Sequence, residues 1–438
     1  VDFNSKYQLY ILFALFILFP YDLRAQEIIQ MTVHSGESFY VHPEANVSIF
    51  SDLNNSGSIG SYNTSTINFL GQRWSSLVGS RIMDESTSGQ TGLGGDIRFS
   101  STSVPQVINT LISAQTNTGF PNITLGNPLN VSLQGNDLLV RRSFNFQSGR
   151  VILNSRNTVL QVGASITGFD SNKYFVTGTA ASGGALVRKT TGTQQTQIIF
   201  PIGSTVGSYT PASIVYTGVA QDLKLRVFEN VYDKAVFGNP DNVNYVSKTW
   251  NLTFNNLDPN ANLVLNTQHN LAEESSAFTA DRLKSFVSRY QPTIEKWDFI
   301  PGTGVTPGII SSGSPIANAY ISTRTISGGL GLNEYFSKSI LKENVLANYR
   351  VPVGISPNND GLNDKFVIQN LKPTDKVRID IYNRWQSLVF RDSNYKNTFE
   401  GIGNQQGLVS NTLPDGTYYY ILYFNDSKPV TGYIIINR

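Results

Sequence analysis

The stretch FNFQSGRVILNSRNTVLQVGASITGF, residues 144–169, decides the fold of the amino-terminal half. Apolar residues come in short bursts with a period of two, Phe144 and Phe146, then Val151 and Leu153, then Val159 with Val162, each burst closed by Gly, Ser or Asn. Alternation with frequent turn residues predicts β-strands of roughly three to five residues. Strands this short bury little alone, but stacked as rungs of a β-helix or solenoid each lays its apolar face on the next. The same texture extends outward over residues 26–189, through Val47 and Ile49, Ile67 and Phe69, Ile97 and Phe99, Ile123 and Leu125, and Val131 and Leu133. The repeat is irregular, so a β-sandwich is the alternative for this region.

The composition agrees with an all-β chain. Asn outnumbers Lys and Arg together, and Asn with Gly, Ser and Thr favours turns over helix interiors. The 438 residues correspond to about two to four domains. Charged residues make up 15% and the net charge is +2, which leaves no basic footprint for nucleic acid. Cysteine is absent, excluding disulfides, thiolate zinc sites and cysteine nucleophiles. Only His34, His42 and His269 could serve as imidazole bases or ligands.

Near Thr190 the strands lengthen, as in 197–200, 212–216, 223–228, 249–254, 285–290 and 320–325, and residues 190–340 are expected to form an antiparallel β-sandwich. Its one helix candidate is 271–278, and Trp250 and Trp297 read as core aromatics. Residues 337–349 are a polar connector.

At the amino end, residues 9–19 (LYILFALFILF) are an unbroken apolar run after Lys6 and before Pro20, Arg24 and Ala25. The run is shorter than the about 20 residues a membrane helix needs and fits a secretory signal peptide of residues 1–25, with Leu23 and Ala25 at the cleavage positions and Gln26 as the new terminus. Without a cysteine after it, a lipid anchor is excluded. No other stretch is long and apolar enough to span a membrane. Val1 stands where a start methionine would.

From Arg350 a distinct unit begins. It contains SPNNDGLNDKF (356–366, with Pro357, Asn358, Asp360, Gly361, Asn363 and Asp364), IDIYNRW (379–385, with Asn383, Arg384 and Trp385), a turn at Phe399-Glu-Gly401, LPDGTYYYIL (413–422, with Pro414, Gly416 and Tyr418) and GYIIINR, from Gly432 to Arg438. In 417–423 both faces carry bulk, so this strand is expected at the centre of a small Ig-like sandwich. In order and spacing these motifs resemble the gliding-motility-associated carboxy-terminal domain, the type B sorting signal of the type IX secretion system of Bacteroidota. Three positions depart from that pattern: Asn359 and Gln386 stand where Gly is usual, and Phe399-Glu400 where Trp-Asp is usual. The resemblance implies export through Sec, folding in the periplasm, and passage across the outer membrane by a translocon that reads the folded domain at 350–438. The region before it is similar in texture to passenger regions of Bacteroidota surface proteins, and that likeness carries no catalytic residues.

The loop SPNNDGLND also has cation-binding spacing. Ser356, Asn358, Asp360 and Asp364 fall at positions 1, 3, 5 and 9 of an EF-hand-like loop with Gly361 at 6, but Val367 stands where the bidentate Glu is expected. A weak calcium site and a cluster of Asx turns are both open. Elsewhere the carboxylates are scattered, with only Asp84 and Glu85 adjacent in the solenoid region, whereas glycoside cleavage needs a pair across a cleft. The expectation is therefore a secreted or cell-surface protein at the outer face of the outer membrane. Its passenger is structural or adhesive rather than enzymatic, and its partners are Sec, the translocon, and surface glycans or other surface proteins. A glycan-binding module is the alternative reading, and a β-helical polysaccharide-degrading enzyme a more distant one.

Overall fold

The computed structural model describes residues 30–111, 119–192, 194–300, 304–311, 318–340, 349–424 and 429–438. The expected signal peptide at 1–25 and most of the connector at 337–349 lie outside them. Strand accounts for half of the described residues and helix for 3%, in keeping with the turn-rich composition. Two compact units divide the chain, residues 1–341 and 342–438.

The first unit opens as a β-solenoid of about six turns. One sheet stacks Gln30–Val33, Asp52–Asn55, Arg73–Ser76, Gln106–Thr110, Val131–Gly135, Val151–Ile152 and Phe175–Val176 in parallel. A second stacks Asn46–Ile49, Thr66–Phe69, Asp96–Phe99, Phe120–Gly126 and Leu138–Ser148, and a short third holds Ser38–Val41, Ser58–Ser61 and Arg81–Met83. Register places like residues over one another, so Ile49, Phe69, Phe99, Leu125 and Phe146 form a buried ladder. Trp74 meets Phe69, Phe99 and Phe120 at 5.5, 5.8 and 5.6 Å. Each rung thus removes its neighbour's apolar face from water, which a short strand cannot do alone.

The coil corners explain the Asn and Asp content. Asp52 Oδ1 accepts from the amides of Gln72 and Arg73 one coil later, both at 2.9 Å. Asn130 Oδ1 accepts from Arg150 N at 2.9 Å, and Asp137 Oδ1 from Asn157 N at 2.8 Å. Outside, Asn54 donates to Gln30 and Asn68 to Asn46. The irregular repeat has a local cause as well: register steps from Asn46 to Thr66 but then from Ile67 to Ile97, because a loop is inserted between Arg81–Met83 and Asp96–Phe99. Its neck is tied by Glu85, which accepts from the amides of Asn63, Leu93 and Gly94, and by a buried ion pair of Asp84 with Arg141.

At Leu186–Lys189 the strand direction changes. This strand lies parallel to Thr158–Leu160 on one side and antiparallel to Asp222–Glu229 on the other. The sheet then continues through Lys248–Thr253, Asn333–Ser339 and Phe286–Gln291. A five-stranded antiparallel sheet, Gln194–Phe200, Ala212–Thr217, Asn262–Asn270, Ala319–Ser327 and Val305–Pro307, supplies further core. Ile214, Leu263 and Trp250 belong to the same buried apolar cluster as Leu53 and Trp74, so the change of texture at Thr190 is a change of pairing within one compact unit. The helix expected at 271–278 is a 3-10 turn, Leu271–Glu273, followed by Ser276–Asp281, whose start is capped by Ser275 Oγ accepting from Phe278 N at 2.9 Å.

The second unit is built on one sheet in the order Gly354–Ile355, Val430–Ile436, Gly416–Phe424, Val377–Tyr382, Leu388–Asp392. The strand at 416–424 lies inside the sheet, as its two bulky faces imply. Tyr418, Tyr420, Leu422 and Phe424 are buried under Phe366, Ile368, Tyr395, Phe399 and Leu413. Those covering residues come from irregular segments, including 365–368; short bridges at Arg350 with Gln369 and Ile402 with Thr412 join them.

Candidate functional site

The separated motifs of the second unit meet at Arg438. Register beside Gly416–Phe424 brings the strand Val430–Ile436, and the residues after it, back to the turn that opens the central strand. Arg438 Nη1 donates to Leu413 O at 2.7 Å and to Asp415 Oδ1 at 3.0 Å, Nη2 donates to Gly401 O at 3.2 Å, and the backbone amide donates to Asp415 Oδ2 at 3.3 Å. One planar guanidinium therefore ties the Phe399-Glu-Gly401 turn to the Leu413-Pro-Asp-Gly turn, which a lysine could not do with one nitrogen. Gly401 has φ +74°, and a Cβ there would lie 2.8 Å from Arg438 Nη2 and 3.3 Å from Pro357 Cγ. Pro357, Asn359, Asp364, Glu400, Ile402, Thr412 and Arg438 line a cleft of about 290 Å³.

The 356–364 loop is folded on its own side chains. Asp364 Oδ1 accepts from Asn359 N at 2.7 Å and Oδ2 from Gly361 N at 2.9 Å. Asp360 Oδ1 accepts from Leu362 N at 2.7 Å, and Asn358 Oδ1 from Asp360 N at 3.1 Å. Ser356 donates its hydroxyl to Leu362 O and its amide to Asn363 O. The Asn358 and Asp360 bonds are two successive Asx turns, and Asp364 closes the loop back onto the amides of Asn359 and Gly361. Among the described residues no three His, Asp or Glu side chains are grouped to hold a metal ion.

The departures from the sorting pattern acquire physical reasons here. Asn359 and Gln386 have φ of +68° and +63°, the left-handed region where Gly is free of steric cost and Asn is tolerated better than most residues. Phe399 is buried with its ring 4.8 Å from Phe390, so it keeps an aromatic in the core. Asn383 Oδ1 accepts from the amides of Trp385 and Ser387 at 3.0 Å and shapes the hairpin tip. Tyr418 donates its hydroxyl to Pro414 O at 2.9 Å, and the Tyr420 ring occupies the space a side chain on Gly432 would need.

Two motif residues do none of this internal work. Trp385 is 70% exposed, and the Arg384 guanidinium stacks 4.2 Å over its ring. On the outward sheet face, Tyr382, Tyr419 and Tyr433 stand in one row across three strands, with Tyr419 52% and Tyr433 48% exposed. Beside them Arg378 lies 4.5 Å over the Tyr423 ring, and buried Asp380 binds both Arg378 and Arg391. Burial pushes the Asp380 carboxyl up, but the two guanidiniums outweigh it and hold the group below the usual carboxylate range.

His269, singled out by scarcity, sits in a closed chain of the first unit. Lys338 Nζ is 2.7 Å from His269 Nδ1 and donates to Tyr320 O at 2.8 Å. His269 Nε2 is 2.7 Å from Glu274 Oε1, and Glu274 accepts two bonds from Arg282 at 2.6 and 2.7 Å. A neutral imidazole with its proton on Nε2 satisfies both neighbours. Burial, then the charge of Lys338, lowers the His269 pKa to about 3. The side chains of His269 and Glu274 are fully buried, as is Lys338, so the chain braces the helix turn against two sheets. Several carboxylates of the solenoid are likewise spent on structure, Asp96 with Arg98 and Asp170 with Lys173 among them.

Residues 349–436 match the CHU_C Type IX secretion signal domain. No curated protein and no solved structure matches the chain. Among the described residues no helix is long and apolar enough to cross a membrane.

Proposed function

We infer that the chain, which carries a type IX secretion signal domain at residues 349–436, delivers its body to the cell surface or the medium as a structural or adhesive passenger. Export is what the terminal domain indicates. The reading of the passenger rests on one observation: the solenoid carboxylates that bond in the folded chain hold coils and loops together, Asp52, Asp137 and Glu85 through backbone amides and Asp84 through Arg141. A stack so held is a stiff spacer with long polar sides. Glycan binding is the second reading, favoured by a basic cleft described below.

Within the signal domain we assign recognition by the secretion machinery to the exposed residues, Trp385 with Arg384 stacked on it and the row of Tyr419 and Tyr433. Exposed Trp, Tyr and Arg are the types that dominate binding energy at protein interfaces. The route begins with Sec, directed by residues 1–25. Truncation before residue 349 tests the export reading: the passenger is expected folded in the periplasm by cell fractionation, and arrival at the surface or medium at the normal level overturns the assignment.

A further inference from the structure

A cleft of about 340 Å³ opens in the first unit where the last coils meet the antiparallel sheet. One wall is the corner Gly163 to Ile166 with Phe169; the other is the strand Gln194–Phe200; Arg188, Lys189 and Thr190 form the floor. The size falls at the small end of ligand sites, which run from about 300 Å³ upward.

Its charge is unbalanced. Arg188 is part-buried and donates from Nη2 to Ala164 O at 2.7 Å and from Nη1 to Ile199 O at 3.2 Å. Those are neutral acceptors, and among the described residues no carboxylate pairs with this guanidinium. Lys189 has only a distant partner, Asp222 at 3.8 Å, and no acidic residue lines the cleft. Burial lowers the Arg188 pKa to about 10, so the group is still charged at neutral pH. A guanidinium fixed in orientation by two carbonyls, with N–H groups left over, is prepared for a planar anion. Around it Ser165 and Thr196 contribute hydroxyls and Gln197 an amide oxygen, while the Thr190 hydroxyl is held by the Gln221 backbone and Gln197 Nε2 by Ser213 Oγ.

We propose that this cleft binds a small carboxylate-bearing saccharide, of the class of uronic acids, with the carboxylate on Arg188 and the sugar hydroxyls on the Ser, Thr and Gln side chains of the walls. The carboxylate answers the unpaired guanidinium, and the polar walls answer a polyol rather than a fatty or aromatic acid. The site is independent of the export reading, because binding is measured on the purified chain whatever its route.

The experiment is calorimetric titration of the full chain with galacturonate and glucuronate, beside galacturonate methyl ester, galactose and acetate. Saturable binding of a uronate is expected, with the ester, the neutral sugar and acetate each at least about tenfold weaker, since each lacks either the charge or the hydroxyls. Arg188→Met should abolish it. Because Arg188 also ties two carbonyls, Lys189→Met is the second variant, expected to weaken binding several-fold at an unchanged melting temperature. No saturable binding of either uronate by the wild-type chain overturns the proposal. So does acetate binding as well as the uronates, or equal binding by the wild type and both variants.

Discussion

The two units treat the faces of their strands in opposite ways. In the solenoid, inward residues such as Phe69, Phe99 and Leu125 are closed into one core, while outside Asn54 bonds Gln30 and Asn68 bonds Asn46 along the stack. In the terminal unit one sheet face is covered by loops, and the other leaves Tyr419 and Tyr433 in water near a hairpin whose tip holds Trp385. Among the described residues the solenoid exposes Tyr40 and Phe50, whereas the terminal sheet sets exposed Tyr419 beside exposed Tyr433 on one face, the kind of contiguous patch that marks interaction sites.

The sharpest test of this difference compares two tryptophans. Trp74→Ala removes a ring packed among three phenylalanines and is expected to cost about 3 to 5 kcal/mol of stability. Trp385→Ala is expected to stay within about 0.5 kcal/mol yet to lower export of the intact chain. Melting curves give the first quantity and fractionation the second. A Trp385 variant exported at the wild-type level would remove the hairpin tip from the recognition surface.

Next in size is the pH response of the first unit. His269 has its folded-state pKa depressed to about 3 from 6.5. Above pH 6.5 both states are neutral there; as pH falls the unfolded chain takes up a proton that the folded chain refuses until about pH 3. Stability is lost through that window, on the order of a few kcal/mol. Glu274, lowered to about 2 from 4.5 despite burial by its bonds to His269 and Arg282, adds a loss of the same sign between pH 4.5 and 2. The melting temperature of the first unit should therefore fall below pH 6.5, and His269→Gln should flatten the part above pH 5, where carboxylates stay ionised. Equal slopes for both proteins there would mean the imidazole is not held neutral.

How much of this was legible follows from what leaves a mark in side chains. The period-two bursts around residues 144–169 announce stacked strands because burial selects residue types. The lengthening of the strands near Thr190 locates the change to antiparallel pairing, but not that one strand, Leu186–Lys189, pairs parallel on one side and antiparallel on the other. The sorting motifs are legible because turns demand Asn, Asp, Gly and Pro. What Arg438 does with them is not, since two of its acceptors are the carbonyls of Leu413 and Gly401, which any residue could present. His269 stands out by rarity, but its partner Lys338 is 69 residues away. Arg188 escapes notice for the same reason as Arg438: both its partners are main-chain oxygens.

A smaller effect separates the Arg438 clasp from the surface it supports. Arg438→Ala leaves Asp415 and two carbonyls without this donor, at an expected cost of about 1 to 2 kcal/mol given the partly exposed side chain. Arg438→Lys should recover only part, because one ammonium cannot span both turns. Full recovery of the melting temperature by lysine would show that charge alone, not the fork, joins the motifs.

The smallest effect distinguishes the two readings of the 356–364 loop. Asp364 accepts the amides of Asn359 and Gly361 with one oxygen each, so Asp364→Ala is expected to cost about 1 kcal/mol whether or not calcium is present. If the loop also bound the ion, two carboxylates without a bidentate Glu would give a Kd of roughly 10⁻⁴ to 10⁻³ M, and tenfold excess would add about 1.4 kcal/mol to the wild type alone. Asp360→Ala is the cleaner probe of that increment, since Asp360 takes a single backbone amide, from Leu362, and its loss disturbs the fold least. A melting temperature that climbs with millimolar calcium in the wild type but not in Asp360→Ala makes the loop a cation site. A flat response in both leaves its carboxylates as the loop's own turn-formers, and the signal domain then presents its aromatics on a frame that needs no metal.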